Sequence, residues 1–359
     1  MKYRLFSSLL LCLLTLFIPM LSLLLPGAAA PDSTATTQPD NTAHSVESEP
    51  SAPEGSSDEP DKQENLPPEL HLEFENSFKI LDSGSGKLLT VSALDYIRGA
   101  IASEMPFQFH TQAMIAQGIA AYTNAVRCQL EQRQRADPKL GGADFSADPA
   151  NMKGWSDEER VREFYGSYAD AAWEKICAAA NEAAQYLLIY DGQPIVAAYC
   201  SMSCGTTESA ENVWGGSIDY LVPVRSAGDE LAPDFASEAV YTADEVRTKI
   251  SKAYPEAGFP AAPVSWFCDI ERTPSGYVRS ARVCGLELSG QELRSMFGLR
   301  SACFDVKFDG EAFRFEVSGY GHGVGLSQYG ADYMARQGSG YSEILQHYYP
   351  GAVLAKVAG

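Results

Sequence analysis

The sequence predicts an α+β fold in which helices and antiparallel strands are mixed in one large domain. Short segments of alternating apolar and polar residues indicate the strands, and turn dipeptides such as Asp309-Gly310 join them into hairpins. One long segment, residues 111–135, carries apolar residues at helical spacing and indicates a helix that is buried early. These patterns predict which elements form, whereas the order of the strands does not follow from them.

The chain of 359 residues begins with a segment typical of membrane targeting. Lys2 and Arg4 precede an uncharged apolar run, residues 5–25. Such a run can span a bilayer, which needs about 20 residues, and it exceeds the usual signal-peptide core of about 7–15 residues. Because the positive charges precede the span, we predict that residues 1–30 anchor the protein in the cell membrane with the domain outside the cytoplasm. Cleavage after Ala30 would instead give a secreted protein.

Residues 31–68 are rich in proline, serine, threonine and acidic residues. Such a segment cannot bury enough apolar surface to offset the entropy of ordering, so we predict a disordered linker. The folded domain is then residues 69–359. The formal net charge of −20 argues against binding to nucleic acid or to an anionic membrane surface.

The domain is predicted to open with strands and a short helix. Residues 70–74 alternate between apolar and polar, residues 78–80 continue the strand pattern, and residues 83–86 supply a hairpin turn. A helix follows with Ser92 as its N-cap. Asp95 lies three residues later, in a pair that is similar to a capping box.

Glu104 is the candidate for acid–base chemistry in the first half of the domain. Pro106 disfavours a continuing helix, so Glu104 is predicted to lie at a helix end beside Met105, Pro106 and Phe107. A carboxyl group among apolar neighbours has a raised pKa if it is buried, and a raised pKa suits a general acid near neutral pH. The alternative is a surface glutamate at a helix terminus.

The middle of the chain is predicted to be mainly helical. A polar loop is expected at residues 141–148, and residues 186–199 indicate a hairpin around Asp191-Gly192. Between them, residues 157–184 form a helical region. Its predicted inner face consists of Phe164, Tyr168, Ala171, Ala172 and Ile176.

Residues 199–208 place small hydroxyl side chains before a turn, where they can meet sugar hydroxyls. The same segment contains Cys200 and Cys204, two of the eight cysteines of the chain. A Cys-x3-Cys pair is compatible with half of a metal site, a strained local disulfide or two free thiols. Cysteines in an exported domain can pair, but the spacing does not reveal which of them do.

The last third is predicted to alternate between strands and short helices. A helix and linker are expected over residues 239–263, starting near Thr242, and a short helix over residues 289–300. The strand-like segments are residues 266–270, 278–283, 304–308 and 313–317, together with Leu286.

Five glycines occur within residues 319–330, a density that implies tight turns or close approach of the backbone. The histidine, serine, glutamine and tyrosines among them can hydrogen-bond to and stack on flat polar ligands such as sugars. The alternative is a turn-rich loop without chemistry. A helix follows, with Ala331, Met334 and Ala335 at helical spacing and Gly338 as its C-cap.

The glycine-rich stretch Gly-Tyr-Gly-His-Gly-Val-Gly-Leu-Ser-Gln-Tyr-Gly-Ala, with Ile-Leu-Gln-His-Tyr-Tyr-Pro-Gly at 344–351, closely resembles the C-terminal signature of the stage II sporulation protein D family. That family includes the amidase-enhancer (LytB-like) proteins. The resemblance covers residues 70–352 and includes Glu-Met-Pro at 104–106 and Ser-Met-Ser-Cys-Gly-Thr-Thr-Glu at 201–208. It implies helices and antiparallel strands arranged around a substrate cleft.

The chain departs from the family pattern at several positions. Ile115 stands where family members usually carry a lysine, and Tyr122 where they carry an arginine, and neither replacement can offer a charge to substrate. Many members also carry a zinc-binding His-Cys-Cys pattern, and those places hold Leu140, Ser146 and Met152. We therefore predict no metal and no cofactor.

The resemblance implies a lytic transglycosylase that cleaves peptidoglycan glycan strands lacking stem peptides and leaves 1,6-anhydro-muramoyl products, in cell-wall remodelling and sporulation engulfment. It implies Glu104 as the catalytic residue. The candidates for sugar binding are Ser201, Ser203, Thr207, Glu208, Gly321, His322, Ser327, Gln328 and Tyr329. The alternative is a non-catalytic protein that binds glycan or stimulates a cell-wall amidase.

Overall fold

The computed structural model describes residues 69–70 and 72–357. The predicted anchor, residues 1–30, and the predicted linker, residues 31–68, lie outside the described residues. Within the described ranges, every helix is too short or too polar to cross a lipid bilayer. Helices and strands are mixed along the chain, as predicted for an α+β fold.

Helices account for much of the first half of the domain and recur between the later strands. In the described part of the chain the α-helices are α1 (Ala93–Glu104), α2 (Thr111–Gln134), α3 (Glu158–Tyr165), α4 (Ala169–Ala183), α5 (Ala210–Trp214), α6 (Ala243–Ala253), α7 (Gly290–Phe297), α8 (Gln328–Arg336) and α9 (Tyr341–Tyr348).

The strands in the described part of the chain are short, and each has two to seven residues. Over the same ranges they are β1 (Glu69–Leu70), β2 (Ser77–Asp82), β3 (Leu88–Ser92), β4 (Phe145–Ala147), β5 (Tyr186–Tyr190), β6 (Gln193–Pro194), β7 (Tyr199–Cys200), β8 (Ala236–Thr242), β9 (Phe267–Arg272), β10 (Val278–Val283), β11 (Leu286–Ser289), β12 (Phe304–Phe308), β13 (Ala312–Ser318), β14 (Leu326–Ser327) and β15 (Val353–Val357).

These strands form several small sheets rather than one large sheet. Their orders are β1-β15-β5-β6, β3-β2-β4, β11-β10-β9, β12-β13-β8 and the pair β14-β7. The pairings are mainly antiparallel, as predicted, but β1 with β15, β2 with β4 and β7 with β14 are parallel. The parallel pair β7-β14 joins residues 199–208 to the glycine-rich stretch, so it brings two groups of candidate site residues together.

Helix α2 is the centre of the main hydrophobic cluster. It packs against α1 and α4 on one side and against α8 and α9 from the end of the chain. Its residues from Ala113 to Thr123 are buried without interruption, which confirms that the helix is buried early. Since α1 and α8 both contact α2, residues separated by more than 200 positions meet around it.

A second hydrophobic cluster is built from the sheets β11-β10-β9 and β12-β13-β8 with α6 and α7. Its centre is aromatic: the Phe297 and Phe315 rings stack with centroids 4.8 Å apart, and Trp266 stacks on Phe313 at 5.5 Å. The predicted hairpin β12-β13 is confirmed, with Asp309-Gly310 at its turn.

Helix starts agree closely with the capping signals in the sequence. Ser92 Oγ accepts a hydrogen bond from the Asp95 backbone N–H at 3.1 Å at the start of α1. Helix α6 begins with a reciprocal capping box between Thr242 and Glu245, and Ser289 caps α7 in the same way. Each cap satisfies backbone N–H groups that a helix N-terminus leaves without partners.

Several predicted details are wrong. Phe164 and Tyr168, expected on an inner face, are 41% and 64% exposed, and Ala171 is also exposed. The reason is Gly166, whose φ of 53° ends α3 and changes the helical phase before α4. Residues 72–76 are not a strand. Strand β4 lies within the loop predicted at residues 141–148, and β8 extends into the start of the helix and linker predicted at residues 239–263.

We expect Gly99→Ala to lower the free energy of unfolding by roughly 3 kcal/mol, because overpacking outweighs the gain of about 1 kcal/mol in helix propensity. A methyl group at Gly99 would lie 2.0 Å from the Ser156 backbone oxygen and 2.4 Å from Trp155 Nε1. Denaturant unfolding measures the effect. Gly258→Ala is the control, since Gly258 lies outside the left-handed backbone region and its added methyl group would come no closer than 3.8 Å to the Cys284 carbonyl oxygen. An equal or smaller loss for Gly99→Ala would contradict the packing argument.

Candidate functional site

Glu104 is the last residue of α1 and is 7% exposed. The helix ends there because Met105 has an extended backbone and Pro106 follows it. The predicted position at a helix end is therefore confirmed, and the alternative of a surface glutamate is wrong. A buried carboxyl group beside apolar residues is the environment expected of a proton donor.

Burial raises the pKa of Glu104 to about 7, against the smaller opposing effects of hydrogen bonds from Gln328 and from the Gly154 backbone N–H. The Gln328 Nε2 lies 3.5 Å from Glu104 Oε2, so this contact is long. Desolvation therefore dominates. Near neutral pH, the carboxyl group is divided between its protonated and ionised forms.

A pair of buried amides connects Glu104 to α2. Gln328, 2% exposed, also lies with its Nε2 3.4 Å from Gln117 Oε1, and Gln117 is fully buried. The Gln117 Nε2 lies towards the Tyr199 hydroxyl without a well-formed hydrogen bond. Sequence reasoning identified Gln328 as a candidate but not Gln117. The available signal was a polar amide within the apolar stretch of α2.

A pocket of about 80 Å³ is lined in part by residues that interact with Glu104, although Glu104 is not itself a lining residue. Its walls include Tyr96, Gly154 and Tyr199, each of which interacts with Glu104. Burial, followed by neighbouring charges that include Glu104, raises the pKa of both tyrosines. Ligand sites commonly have volumes of about 300–1,000 Å³, so the pocket as it stands holds only part of a sugar.

His322 lies close to the same pocket. Its ring centroid is 5.4 Å from that of Trp214, which lines the pocket, and its Nδ1 accepts a hydrogen bond from the Val324 N–H at 3.0 Å. Burial, reinforced by Arg294, lowers the pKa of His322 to about 3, so the imidazole is neutral near pH 7. The Nε2 then carries the proton, and it faces the Tyr199 carbonyl without a well-formed hydrogen bond.

Two predicted sugar-binding serines are instead bonded to a buried aspartate. The Ser203 N–H and Oγ donate to Asp229 Oδ2 at 2.7 and 2.5 Å, and the Ser327 Oγ donates to Oδ1 at 2.5 Å. All three residues are fully buried. Burial raises the pKa of Asp229, although these hydrogen bonds oppose the shift. Sequence reasoning missed Asp229, which lies in a short helical turn and carries no motif.

The side chains of Glu208 and Thr207 also form hydrogen bonds within the protein. Glu208, 1% exposed, accepts hydrogen bonds from Thr273, from the Ser209 N–H and from the Asn212 side chain. Thr207 Oγ1 accepts from the Val224 N–H at 2.9 Å. The structure therefore places both side chains in contacts that shape the loop rather than beside Glu104.

The remaining candidates lie along the junction of β7 and β14. The Ser201 carbonyl accepts from the Tyr329 N–H at 3.1 Å, and the Tyr329 ring packs edge-on against Phe109 at 4.9 Å. The Gly321 N–H donates to the Arg300 carbonyl at 2.9 Å. Of the nine predicted sugar-binding residues, Gln328 is the one whose side chain contacts Glu104 in the described part of the chain.

Glycines allow the late stretch to approach residues 198–204 closely, as the sequence indicated. A methyl group at Gly325 would lie 2.0 Å from the Ala198 carbonyl oxygen, and one at Gly323 would lie 2.2 Å from the Tyr277 hydroxyl. Gly323 and Gly325 also have φ values of 79° and 75°, a region that other residues rarely adopt. This close packing brings Gln328 and His322 to their positions.

Ile115 and Tyr122 are both buried in the main hydrophobic cluster. The Tyr122 ring lies edge-on against Phe74 and Phe78, at 6.3 and 6.2 Å. These positions therefore offer packing and no cation. Arg127 of α2 is among the lining residues of the pocket, and its guanidinium group pairs with Glu131.

No group of three or more histidine, cysteine, aspartate or glutamate side chains is placed to hold a metal ion among residues 69–70 and 72–357. Cys200 is buried, and burial raises the pKa of its thiol. The Cys204 thiol is directed to Cys303 instead of Cys200. Cys200 and Cys204 are both unbonded thiols, which is one of the three alternatives left open by the sequence.

Comparison with known proteins gives a consistent result. Residues 82–190 match the family described as "Stage II sporulation protein". The chain is 30% identical over 348 residues to "Stage II sporulation protein D" of Bacillus amyloliquefaciens, covering 96% of this chain and 94% of the relative. It is 31% identical to the protein of the same name from Bacillus subtilis (strain 168), covering 73% and 74%. Identity to the "Amidase enhancer" of that strain is 26%, covering 72% of this chain and 40% of the relative.

Proposed function

This chain belongs to the stage II sporulation protein D family, and we propose that it is a lytic transglycosylase acting on peptidoglycan glycan strands that lack stem peptides. The observation that carries the proposal is the buried Glu104, whose pKa burial raises to about 7. A carboxyl group with this pKa can donate a proton and accept one at the same pH. One residue can therefore serve both steps of an intramolecular transfer.

In the first step, protonated Glu104 donates its proton to the glycosidic oxygen between a muramoyl residue and the next sugar. The bond from the anomeric carbon to that oxygen breaks, and the next sugar leaves with a free hydroxyl group. Positive charge develops at the anomeric carbon. Burial of Glu104 favours the protonated starting state, against the smaller opposing effect of the hydrogen bond from Gln328.

In the second step, the Glu104 carboxylate accepts the proton of the muramoyl C6 hydroxyl. The C6 oxygen then bonds to the anomeric carbon and closes a 1,6-anhydro ring. The carboxyl group is protonated again, and no water is consumed. This differs from glycoside hydrolysis, in which a second carboxylate commonly acts as a nucleophile or activates water.

The proposal includes a substrate cleft that opens from the pocket beside Glu104. The pocket of about 80 Å³ is too small for a disaccharide, so its walls must move apart when glycan enters. Trp214 and Arg127 line it, and an aromatic face and a guanidinium group are both suited to sugar. His322 would contribute as a neutral donor through Nε2, because its pKa is lowered to about 3.

The second candidate is a non-catalytic protein that binds glycan or stimulates an amidase, as the name of the "Amidase enhancer" relative states for that protein. Buried Ile115 and Tyr122 favour it, since they supply no cation.

For both candidate functions we propose that the N-terminal segment holds the protein at the cell membrane with the domain outside, in cell-wall remodelling during sporulation. Cell-wall amidases are then its proposed partners.

Digestion of peptidoglycan by the full-length chain in mild detergent distinguishes the two candidate functions. Glycan strands stripped of stem peptides are the substrate, and intact peptidoglycan is the comparison. We expect 1,6-anhydro-muramoyl ends from the stripped strands. Binding without any new chain ends, together with faster release of stem peptides when an amidase is added, would support the second candidate instead.

We expect the rate of this digestion to fall above neutral pH. Only protonated Glu104 can donate in the first step, and its pKa of about 7 means that the protonated fraction declines about tenfold per pH unit above that value. Initial rates from pH 6 to 9 at limiting substrate measure the profile. A rate that stays constant over this range would contradict the role of Glu104 as the acid.

A further inference from the structure

Two cysteines from distant parts of the chain lie side by side in the structure. A methyl group placed at Gly276 would lie 3.8 Å from Cys204 Sγ and 3.9 Å from Cys303 Sγ. Cys204 Sγ is 3.2 Å from the Ser275 carbonyl oxygen, and Cys303 Sγ is 3.5 Å from that of Gly276. The two thiols are also within hydrogen-bonding reach of each other.

These cysteines connect two different regions. Cys204 follows β7 in the segment that carries Ser201, Ser203 and Glu208, whereas Cys303 immediately precedes β12 in the second hydrophobic cluster. Both are unbonded thiols of intermediate exposure, so a small reagent can reach them. The two thiols lie against the carbonyl oxygens of Ser275 and Gly276, and within the part of the chain that the structure describes they belong to no group of three or more side chains placed to hold a metal ion.

We propose that Cys204 and Cys303 form a disulfide bond when the domain lies outside the membrane. The inference rests on the proposed extracytoplasmic location and not on the proposed catalysis. Disulfides form and persist in such oxidising surroundings. None of the comparisons or sequence patterns described above points to this pair, because about 100 residues separate its members in sequence.

The oxidant in this step is a disulfide, either of an exported thiol oxidoreductase or of a small molecule. The Cys204 thiolate attacks one sulfur of that disulfide, and the other sulfur leaves as a thiolate. The Cys303 thiol then loses its proton and attacks Cys204 Sγ, which releases the second oxidant sulfur. In total, two cysteine thiols are oxidised by two electrons and one oxidant disulfide is reduced to two thiols.

Local contacts favour Cys204 as the first nucleophile. Hydrogen bonding from the Cys303 thiol, followed by that from the Tyr277 hydroxyl, lowers the pKa of Cys204 even though burial opposes the shift. The same contact with Cys204, together with burial, raises the pKa of Cys303. A thiol with a lowered pKa attacks first, and its neighbour completes the bond.

The bond would tie the segment carrying the candidate sugar-binding residues to the second cluster. A cross-link that closes a loop of about 100 residues restricts the unfolded chain strongly. We therefore expect the oxidised protein to unfold at a temperature higher by roughly 5–15 °C than the reduced protein. The effect is on stability, and it is independent of whether Glu104 is catalytic.

The test uses the full-length chain, reduced with dithiothreitol, freed of it and then exposed to oxidised glutathione. Alkylation and peptide mass spectrometry identify the cysteines that have reacted. We expect one linked peptide pair containing Cys204 and Cys303, lighter by two hydrogen atoms than the separate peptides, and a raised Tm that dithiothreitol reverses. Cys204→Ser and Cys303→Ser should each lose this rise in Tm.

Cys268→Ser is the matched control, because Cys268 is exposed and lies in β9, away from the Cys204–Cys303 pair. It should keep both the linked peptide and the rise in Tm. The proposal is overturned if Cys204 and Cys303 remain fully alkylatable after oxidation, if either is found linked only to glutathione or to another cysteine, or if Cys204→Ser still gains the higher Tm.

Discussion

Replacing Glu104 with glutamine is expected to lower the rate of anhydro-muramoyl release by about 10²–10⁴-fold, the usual contribution of a positioned general acid or base. Glutamine has nearly the same shape as the protonated carboxyl group and can keep the contacts with Gln328 and the Gly154 N–H. It cannot give up or accept the proton in either step. The measurement is the initial rate on stripped glycan strands. Activity within about threefold of the parent would contradict the assignment.

The Glu104→Gln variant also tests the raised pKa of Glu104 through the pH dependence of the free energy of unfolding. The pKa of Glu104 is raised in the folded state, so the folded protein holds the proton more tightly than the unfolded chain. The resulting stability is complete below pH 4.5 and is lost as the pH rises through about 7. Glutamine has no charge to bury, so Glu104→Gln should become more stable than the parent by about 3 kcal/mol above pH 7.

Urea unfolding at pH 5 and pH 8 measures this difference without reference to activity. At pH 5 the two proteins should have similar free energies of unfolding. At pH 8 the variant should be the more stable one. A difference that does not change between these pH values would show that burial does not perturb Glu104, and any loss of activity would then need another explanation.

Asp229→Ala is expected to lower the free energy of unfolding by roughly 3–5 kcal/mol, because three buried donors lose their acceptor. These donors are the N–H and Oγ of Ser203 and the Oγ of Ser327. Denaturant unfolding at pH 7 measures the loss. The control is Asp170→Ala, whose side chain is fully exposed and pairs with Arg162 at the surface. That control should stay within about 0.5 kcal/mol of the parent.

A second comparison separates the hydrogen bonds from the loss of volume. Asp229→Asn keeps nearly the same side-chain volume and one acceptor oxygen but removes the other. It should therefore lose less stability than Asp229→Ala. If Asp229→Ala costs no more than Asp170→Ala, the assignment of Asp229 as the residue that holds this segment is wrong.

Local signals in the sequence were enough to predict the position of Glu104. A capping serine at residue 92 begins α1, and the proline at residue 106 ends it, so the carboxyl group at the last helical residue follows from nearby residues alone. The buried start of α2 and the β12-β13 hairpin were predicted on the same basis. Such features depend on interactions over a few residues.

The partners of the candidate site could not be predicted in this way, because they come from distant positions. Gln117 reaches the site through α2, and Gln328 arrives more than 200 residues after Glu104. The sequence does not show whether the hydroxyl groups of Ser203 and Ser327 bind sugar or another part of the protein. In the structure both donate hydrogen bonds to Asp229. Cys204 and Cys303 meet for the same reason, since folding and not spacing brings them together.

The most direct test of the proposed transfer is digestion of stripped glycan strands in water enriched in ¹⁸O. Because the muramoyl C6 oxygen replaces the leaving sugar, we expect mass spectrometry to show new anhydro-muramoyl ends without the heavy isotope. Glu104→Gln should give almost none of this product. New reducing ends that carry ¹⁸O, or the absence of any new ends from the unmodified protein, would contradict transfer by Glu104.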